Sequence, residues 1–339
     1  MRTYNVCVVG VGAVGVEMLR VLRQRNFPVG QLKVLARSSR EVVVDGETYH
    51  VEPVSAESFE GVDIALFAGT EGEKGAAVTY AAEAVKRGAL VIDNGADFRM
   101  EKDVPLVVPE VNAKDIALAK KGRGIIANPN CSTIQMVVAL APIHKVFKIR
   151  RVIVSTYQAA SGAGGKAVDE LVTQTRDILD GREARPEALS KRIAFNLFPQ
   201  IGSFAEDDYT SEEWKMIKET RKIMHDATIK VSATTVRVPV KVGHSEAIYI
   251  ETKEPIEIRK VKSVLAKAPG IKVIDDVKTA VYPMPVEAEG RDEVFVGRIR
   301  RDPFNPKGLW LWVVADNLRK GAASNAVQIA EEIVKKGLI

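Results

Sequence analysis

Cysteine is almost missing from this sequence. Cys7 and Cys131 are the only two thiols in 339 residues, too few for the cross-linked framework of a small secreted domain, so a reducing cytoplasmic setting is expected. Long apolar runs are missing as well: none approaches the roughly 18–20 residues that cross a bilayer, and no membrane association is expected. The start, Met1-Arg2-Thr3-Tyr4-Asn5, runs straight into a strand pattern without signal-peptide design. Charge of one sign is not in strong excess. Lys and Arg number 49 against 44 Asp and Glu, and the net +5 is scattered in pairs such as Lys120-Lys121 and Lys335-Lys336 that read as solvated helix faces. With aromatics at 6% and no basic stripe interleaved with them, nucleic acid is not the expected partner. No metal site is expected, and there is no internal repeat or low-complexity segment.

What the sequence does have is a nucleotide-binding opening. The apolar strand Asn5–Val9 runs into Gly10-Val11-Gly12-Ala13-Val14-Gly15, and a helical pattern continues to Arg25. In this strand–turn–helix setting the first glycine makes the tight turn, the second admits pyrophosphate to the backbone, and the third lets helix pack on strand. The helix N-terminus then offers N–H groups to phosphate. The next strand, Leu32–Ala36, ends in Arg37-Ser38-Ser39-Arg40, where an NAD site would carry an acid for the ribose hydroxyl. Guanidiniums and hydroxyls suit a 2′-phosphate, so NADP is expected. Further strands at Asp63–Ala68, Ala89–Asp93, Leu106–Val108 and Gly124–Ala127, with a helix near Ala76–Arg87, predict an α/β fold: a Rossmann-type doubly wound parallel sheet. Cys7 lies inside the first strand and reads as core.

The most informative string is Asn128-Pro129-Asn130-Cys131-Ser132-Thr133. An apolar run ends in an Asn-Pro-Asn turn, the thiol follows, and a helical pattern (Ile134, Val137, Val138, Ala141) begins directly after it. The sulfur is thereby set at a helix N-terminus, where unpaired N–H groups and the positive dipole end favour thiolate. A nucleophilic thiol downstream of a nucleotide turn implies covalent chemistry on an acyl group.

Beyond Cys131 the order changes to α+β. A strand Arg151–Tyr157 leads into the small-residue loop Gln158–Gly165, followed by a helix from Lys166 to Asp180 and a helix Ser211–Met224 capped by Ser211. Strands are expected at Thr228–Val240, Ala247–Thr252, Phe295–Arg300 and Leu309–Ala315, and a helix at Ile258–Ala268. The last strand suits either a subunit interface or a buried sheet. A closing amphipathic helix, Ala322–Lys336, is expected to return to the nucleotide domain. Of the four histidines, His244 stands in a polar turn, Val242-Gly243-His244-Ser245-Glu246, and suits a general acid/base. Arg237, alternating with β-branched residues, is either an exposed edge-strand charge or a fork for a substrate carboxylate.

Gly12-Ala13-Val14-Gly15, the Asn128–Thr133 string, Thr156-Tyr157-Gln158-Ala159-Ala160-Ser161-Gly162 and Gly243-His244-Ser245-Glu246 together resemble the aspartate-β-semialdehyde dehydrogenase family in its bacterial form. The likeness runs nearly end to end, through Val296-Gly297-Arg298-Ile299-Arg300 and Asp316-Asn317-Leu318-Arg319-Lys320-Gly321. It implies a homodimer with an NADP-binding domain over residues 1–130, completed by 320–339, and a catalytic and dimerisation domain over 131–319. It implies that L-aspartate 4-semialdehyde, phosphate and NADP⁺ interconvert with 4-phospho-L-aspartate and NADPH through a Cys131 thioester, in lysine, threonine and methionine biosynthesis. Cys131 would be the nucleophile, His244 the acid and base, and Gln158 the group that orients the acyl carbon. Arg237, Glu212 and Asn130 would hold substrate, with Glu213 close enough to replace Glu212 at the amine. Arg99 and Lys215 would hold phosphate. Gly10, Val11, Gly12, Ala13, Val14, Gly15, Arg37, Ser38, Ser161, Gly162 and Asn317 would contact the coenzyme.

The sequence departs from the family pattern in three places. The glycine turn is one residue short and lacks a threonine; Phe67-Ala68-Gly69-Thr70 replaces Ser-Ala-Gly-Gly; Gly95 and Ala96 stand where serines are usual. An N-acetylglutamyl-phosphate reductase, a CoA-thioester reductase and a silent nucleotide-binding paralogue remain as alternatives.

Overall fold

The computed structural model describes residues 2–68 and 75–339. Two compact units are formed, Met1–Asn130 with Ala322–Ile339, and Cys131–Gly321. Gly69 and Thr70, in one of the departures above, lie outside the described residues.

In the first unit β1 (Tyr4–Val9), β2 (Val29–Ala36), β3 (Arg40–Val44), β4 (Glu47–Pro53), β5 (Ile64–Phe67), β6 (Leu90–Asp93) and β7 (Ile125–Ala127) form one sheet in the order β3-β4-β2-β1-β5-β6-β7. Every neighbouring pair is parallel except β3 with β4. Helices α1 (Ala13–Gln24), α2 (Ala76–Lys86) and the short α3 (Pro109–Asn112) belong to this unit. Because β2 and β5 lie on opposite sides of β1, the glycine turn after β1 stands at the switch point where open α/β sheets bind ligands.

Two strand expectations change. The β3–β4 hairpin was not foreseen, although Asp45 and Gly46 carry its signal: both have positive φ, 50° and 82°, the type I′ geometry that an Asp-Gly loop favours. Leu106–Val108 is not a strand. It contributes one bridge, Leu106 to Ala127, because Pro105 and Pro109 bracket it and cannot donate to a ladder.

The C-terminal helix Ser324–Lys335 belongs to the core of the first unit, where Val327, Ala330 and Ile333 bury among Met18, Ile92 and Ile116. Asn325 Nδ2 stitches it down by donating to Asn128 Oδ1 (2.6 Å) and Val107 O (3.0 Å), and Arg25 pairs with Glu331 at 2.7 Å.

The second unit holds β8 (Ile149–Gln158), β9 (Lys230–Arg237), β10 (His244–Thr252), β11 (Ile271–Val273), β12 (Val294–Arg301) and β13 (Gly308–Ala315) in the order β11-β12-β13-β10-β8-β9. The central pairings are antiparallel and the two outer ones parallel. Its helices are α4 (Cys131–Phe147), α5 (Gly165–Leu179), α6 (Ser211–Ile223), α7 (Ile258–Ala266) and the short α8 (Pro285–Ala288). Helix α4 packs on β8, β10, β12 and β13 with α6 and α7 beside it, so it is enclosed on nearly every side and reads apolar all round. The strand expected at Leu309–Ala315 is β13, an interior strand of this sheet. On the opposite face aromatic rings pair across strands, Tyr157 with Trp312 and Tyr249 with Trp310. Among the described residues no helix is long and apolar enough to cross a membrane.

Candidate active site

Cys131 opens α4 as its first residue and is partly exposed, whereas Cys7 is sealed inside β1, where burial pushes its thiol up to about 12. Gly321 leans on the Cys131 side chain: a Cβ built there would stand 3.0 Å from Cys131 Cβ. The stretch Arg319–Ala323 that carries Gly321 winds as a π-turn, a geometry that recurs at functional sites.

His244 departs from its expected place. It is the first residue of β10 and fully buried, because the turn ends one residue earlier at Gly243 (φ 95°). Its Nδ1 accepts the Ala159 N–H at 3.0 Å. A backbone N–H can only donate, so Nδ1 keeps its lone pair and the neutral ring carries its proton on Nε2. Burial first, and the Arg237 charge second, hold the ring well below its ordinary 6.5, so the resting imidazole is neutral.

Gln158, the last residue of β8, is oriented by its neighbours. Its Oε1 accepts from Thr156 Oγ1 (2.9 Å), and its Nε2 donates to Glu212 Oε1 (3.1 Å) and lies 3.5 Å from His244 Nε2. Glu212 therefore faces this cluster, with Lys215 Nζ 3.8 Å from its other oxygen one helical turn on. Glu213 faces elsewhere. The N-cap of α6 is Thr210 rather than Ser211, and Glu213 closes a capping box by accepting Thr210 N–H (2.7 Å) while its second oxygen takes Thr235 N–H (2.9 Å).

Arg237 ends the edge strand β9, yet its side chain turns inward and is buried. Nη1 donates to Ala159 O at 2.6 Å; burial lowers its pKa, and Cys131 and Glu212 oppose that shift. Gly162 adjoins both the guanidinium and the imidazole: a Cβ there would meet Arg237 Nη1 at 3.0 Å and His244 Nε2 at 3.2 Å. Ser161 and Asn317 are both buried and bonded to each other, Asn317 Nδ2 donating to Ser161 Oγ at 2.9 Å, while Asn317 Oδ1 accepts Gly243 N–H at 2.9 Å. Their side chains thus fasten the loop after β8 to the turn before His244.

In the first unit, Gly10, Val11 and Gly12 line a cleft of about 590 Å³ together with Arg37, Arg40, Thr79 and Tyr80. A Cβ at Gly15 would stand 1.9 Å from Gly10 O, whereas nothing lies within 4 Å of one at Gly12. Gly15 is the packing glycine, and Gly12 leaves open the approach that a pyrophosphate needs. Ala13 and Val14 open α1. Arg40 Nη1 reaches Ser38 Oγ at 3.4 Å, so two guanidiniums and a hydroxyl gather at the end of β2 as a 2′-phosphate requires. Thr79 and Tyr80 were not foreseen, since nothing in a helical pattern marks which face of α2 meets a ligand. Arg99 belongs to this unit, in a turn after β6. It is buried, donating to Asn128 O (2.9 Å) and Asn94 O (2.7 Å). Asn130, the residue before the thiol, is buried too.

A dinucleotide cleft in one unit, and in the other a helix-starting thiol with a guanidinium, carboxamide and imidazole, are the parts of a coenzyme-linked dehydrogenase. Known proteins agree. Residues 5–119 match the model of the semialdehyde dehydrogenase NAD binding domain, and residues 140–320 that of the semialdehyde dehydrogenase dimerisation domain. The chain is 55% identical to the aspartate-semialdehyde dehydrogenase of Aquifex aeolicus over 99% of each chain, and 49% identical to that of Bacillus subtilis over 100% and 99%. A crystal structure of aspartate semialdehyde dehydrogenase II from Vibrio cholerae, complexed with ASA, superposes with a TM-score of 0.94 at 47% identity, covering 99% of both chains. The chain belongs to the aspartate-semialdehyde dehydrogenase family.

Proposed function

We propose that this chain interconverts L-aspartate 4-semialdehyde, phosphate and NADP⁺ with 4-phospho-L-aspartate and NADPH, a step of lysine, threonine and methionine biosynthesis. The observation that carries the reading is the grouping of buried Gln158, Glu212, Arg237 and His244 in the unit that Cys131 opens. Arg237 offers its free N–H groups to the α-carboxylate and Glu212 accepts the ammonium, so the amino-acid end is recognised by opposite charges. A substrate with an acylated amine would leave the Glu212 carboxylate without its cation, which disfavours an N-acetylglutamyl substrate. Lys215, beside Glu212, and Arg99 of the first unit are assigned to phosphate, and Asn130 to substrate.

In the reductive direction the Cys131 thiolate attacks the acyl carbon, the C–S bond forms, and the C–O bond to phosphate breaks. Gln158 orients the carbonyl. Bound coenzyme supplies the hydride that reduces the thioester, and takes it back in reverse. The resulting oxyanion accepts the His244 Nε2–H, and collapse breaks the C–S bond, returning thiolate and releasing aldehyde. No proton need leave the ring, so His244 works as a neutral donor rather than through the imidazolium that general acid catalysis would use. Arg37 and Arg40 would hold the 2′-phosphate with Ser38, the Gly10–Gly15 turn would hold pyrophosphate, and Gly162 would give backbone access beside the Arg237 guanidinium and the His244 imidazole. Ser161 and Asn317 contribute through the backbone they fasten.

The free thiol that the chemistry requires suits a reducing cytoplasm. The aromatic face of the six-stranded sheet, with Ile153 exposed on it, is the surface we assign to a homodimer. The test is NADP⁺ reduction with aspartate semialdehyde. Strict dependence on phosphate, with no rate from N-acetylglutamate semialdehyde, is expected; turnover without phosphate, or a preference for the acetylated substrate, would overturn the reading.

A further inference from the structure

Two fully buried polar side chains sit on the elements that carry the thiol and the imidazole, and the chemistry above uses neither. Gln135 stands on α4 four residues after Cys131, and Glu246 stands on β10 two residues after His244. Four helical residues rise about 6 Å and two strand residues about 6.6 Å, so the two spacings match. Both elements start at the reacting groups, and α4 packs on β10. Gln135 and Glu246 thus lie on the same two elements as the thiol and the imidazole, a similar step further along each.

The Gln135 amide is the polar group beside the Glu246 carboxyl, but among the described residues no nitrogen or oxygen of either side chain completes a hydrogen bond. Among the described residues no charged group offsets the burial of Glu246, which raises its pKa well above 4.5 and favours the neutral acid. Across the sheet Glu246 stands opposite Thr156, whose hydroxyl orients Gln158. Burying two such polar groups costs stability that apolar residues of equal volume would not, so their place between α4 and β10 calls for a role in how the helix meets the strand.

We propose that Gln135 and Glu246 are a positioning pair that braces α4 against β10 and so sets the distance between the Cys131 thiol and the His244 imidazole. The inference rests on the thiol–imidazole chemistry proposed above. Its test therefore includes the rate of Cys131 alkylation by iodoacetamide against pH, which requires no knowledge of the substrate. Steady-state kinetics and alkylation are measured for Glu246→Gln, Glu246→Leu, Gln135→Leu and the double leucine variant, each checked for folding by near-UV circular dichroism.

The leucine single variants are expected to lower kcat ten- to a hundredfold with KM within twofold, and to displace the alkylation profile. The double variant should be no worse than either single, and Glu246→Gln should keep kcat within threefold with an unchanged pH profile. Losses that multiply in the double variant would overturn the pairing. A Glu246→Gln loss as deep as that of Glu246→Leu would overturn the positioning role in favour of an ionised carboxylate. Leucine variants that melt earlier but alkylate and turn over like the parent would reduce the pair to packing.

Discussion

Glu212 and Glu213 are adjacent in sequence and do different work, because Thr210 caps α6 and draws Glu213 into the cap. Glu213→Ala should cost about 1 kcal/mol of stability, seen as a lower Tm, with KM unchanged. Glu212→Gln should leave Tm alone and raise the KM for aspartate semialdehyde about tenfold, the value of one charge-assisted hydrogen bond. Equal effects in the two variants would mean the site is misassigned. Arg237→Lys should likewise raise KM about tenfold, because a point charge cannot reproduce a two-pronged grip on carboxylate. The two cysteines separate as sharply: native protein should release one equivalent of chromophore from a disulfide reagent at pH 8, and unfolded protein two, since the Cys7 thiol is sealed and raised to about 12.

His244 adds a pH signature. Its folded pKa lies well below 6.5, so the unfolded chain takes up a proton first as pH falls, and stability drops below that value. Urea unfolding at pH 7.5 and 5.5 should show a smaller loss in His244→Gln than in the parent; an equal loss would contradict a neutral buried ring.

Among the elements, those whose signals are local could be read directly. The β1–α1 turn announces itself through three glycines, and the start of α4 through Asn-Pro-Asn and a thiol. Gly15→Ala tests the first: its Cβ would collide with Gly10 O, and the overpacking should cost about 1–3 kcal/mol together with coenzyme affinity. Unchanged stability and NADPH binding would show that the turn is not closed as described. Signals that depend on partners far along the chain were harder to read. The burial of His244 follows from β8 and β13 on either side of β10, which no local pattern reveals. The β3–β4 hairpin was legible in Asp45-Gly46 but is short. Gln135 and Glu246 look like ordinary polar residues until the helix lies on the sheet. Ser211 looked like a cap because its neighbour Thr210 is an equally good one, and only the reach of Glu213 decides between them.

At the scale of the whole molecule, alternating strands and helices before Cys131, and mixed order after it, separate a parallel sheet from a largely antiparallel one. That contrast was visible in the order of apolar runs. Which face of the second sheet remains open was not, because Tyr157, Tyr249, Trp310 and Trp312 alternate with core residues and differ from them only in position. If that face joins two copies, Ile153→Arg should convert a dimer to a monomer in sedimentation velocity; a dimer that persists would place the interface elsewhere.

Cys131 as the atom that carries the acyl group is the central claim, and mass spectrometry tests it most directly. Protein mixed with 4-phospho-L-aspartate in the absence of coenzyme should release one equivalent of phosphate and carry an aspartyl adduct on the Cys131 peptide. Hydroxylamine should remove the adduct, and it should be missing from Cys131→Ala. Turnover by Cys131→Ala, or an adduct on any other residue, would contradict the account.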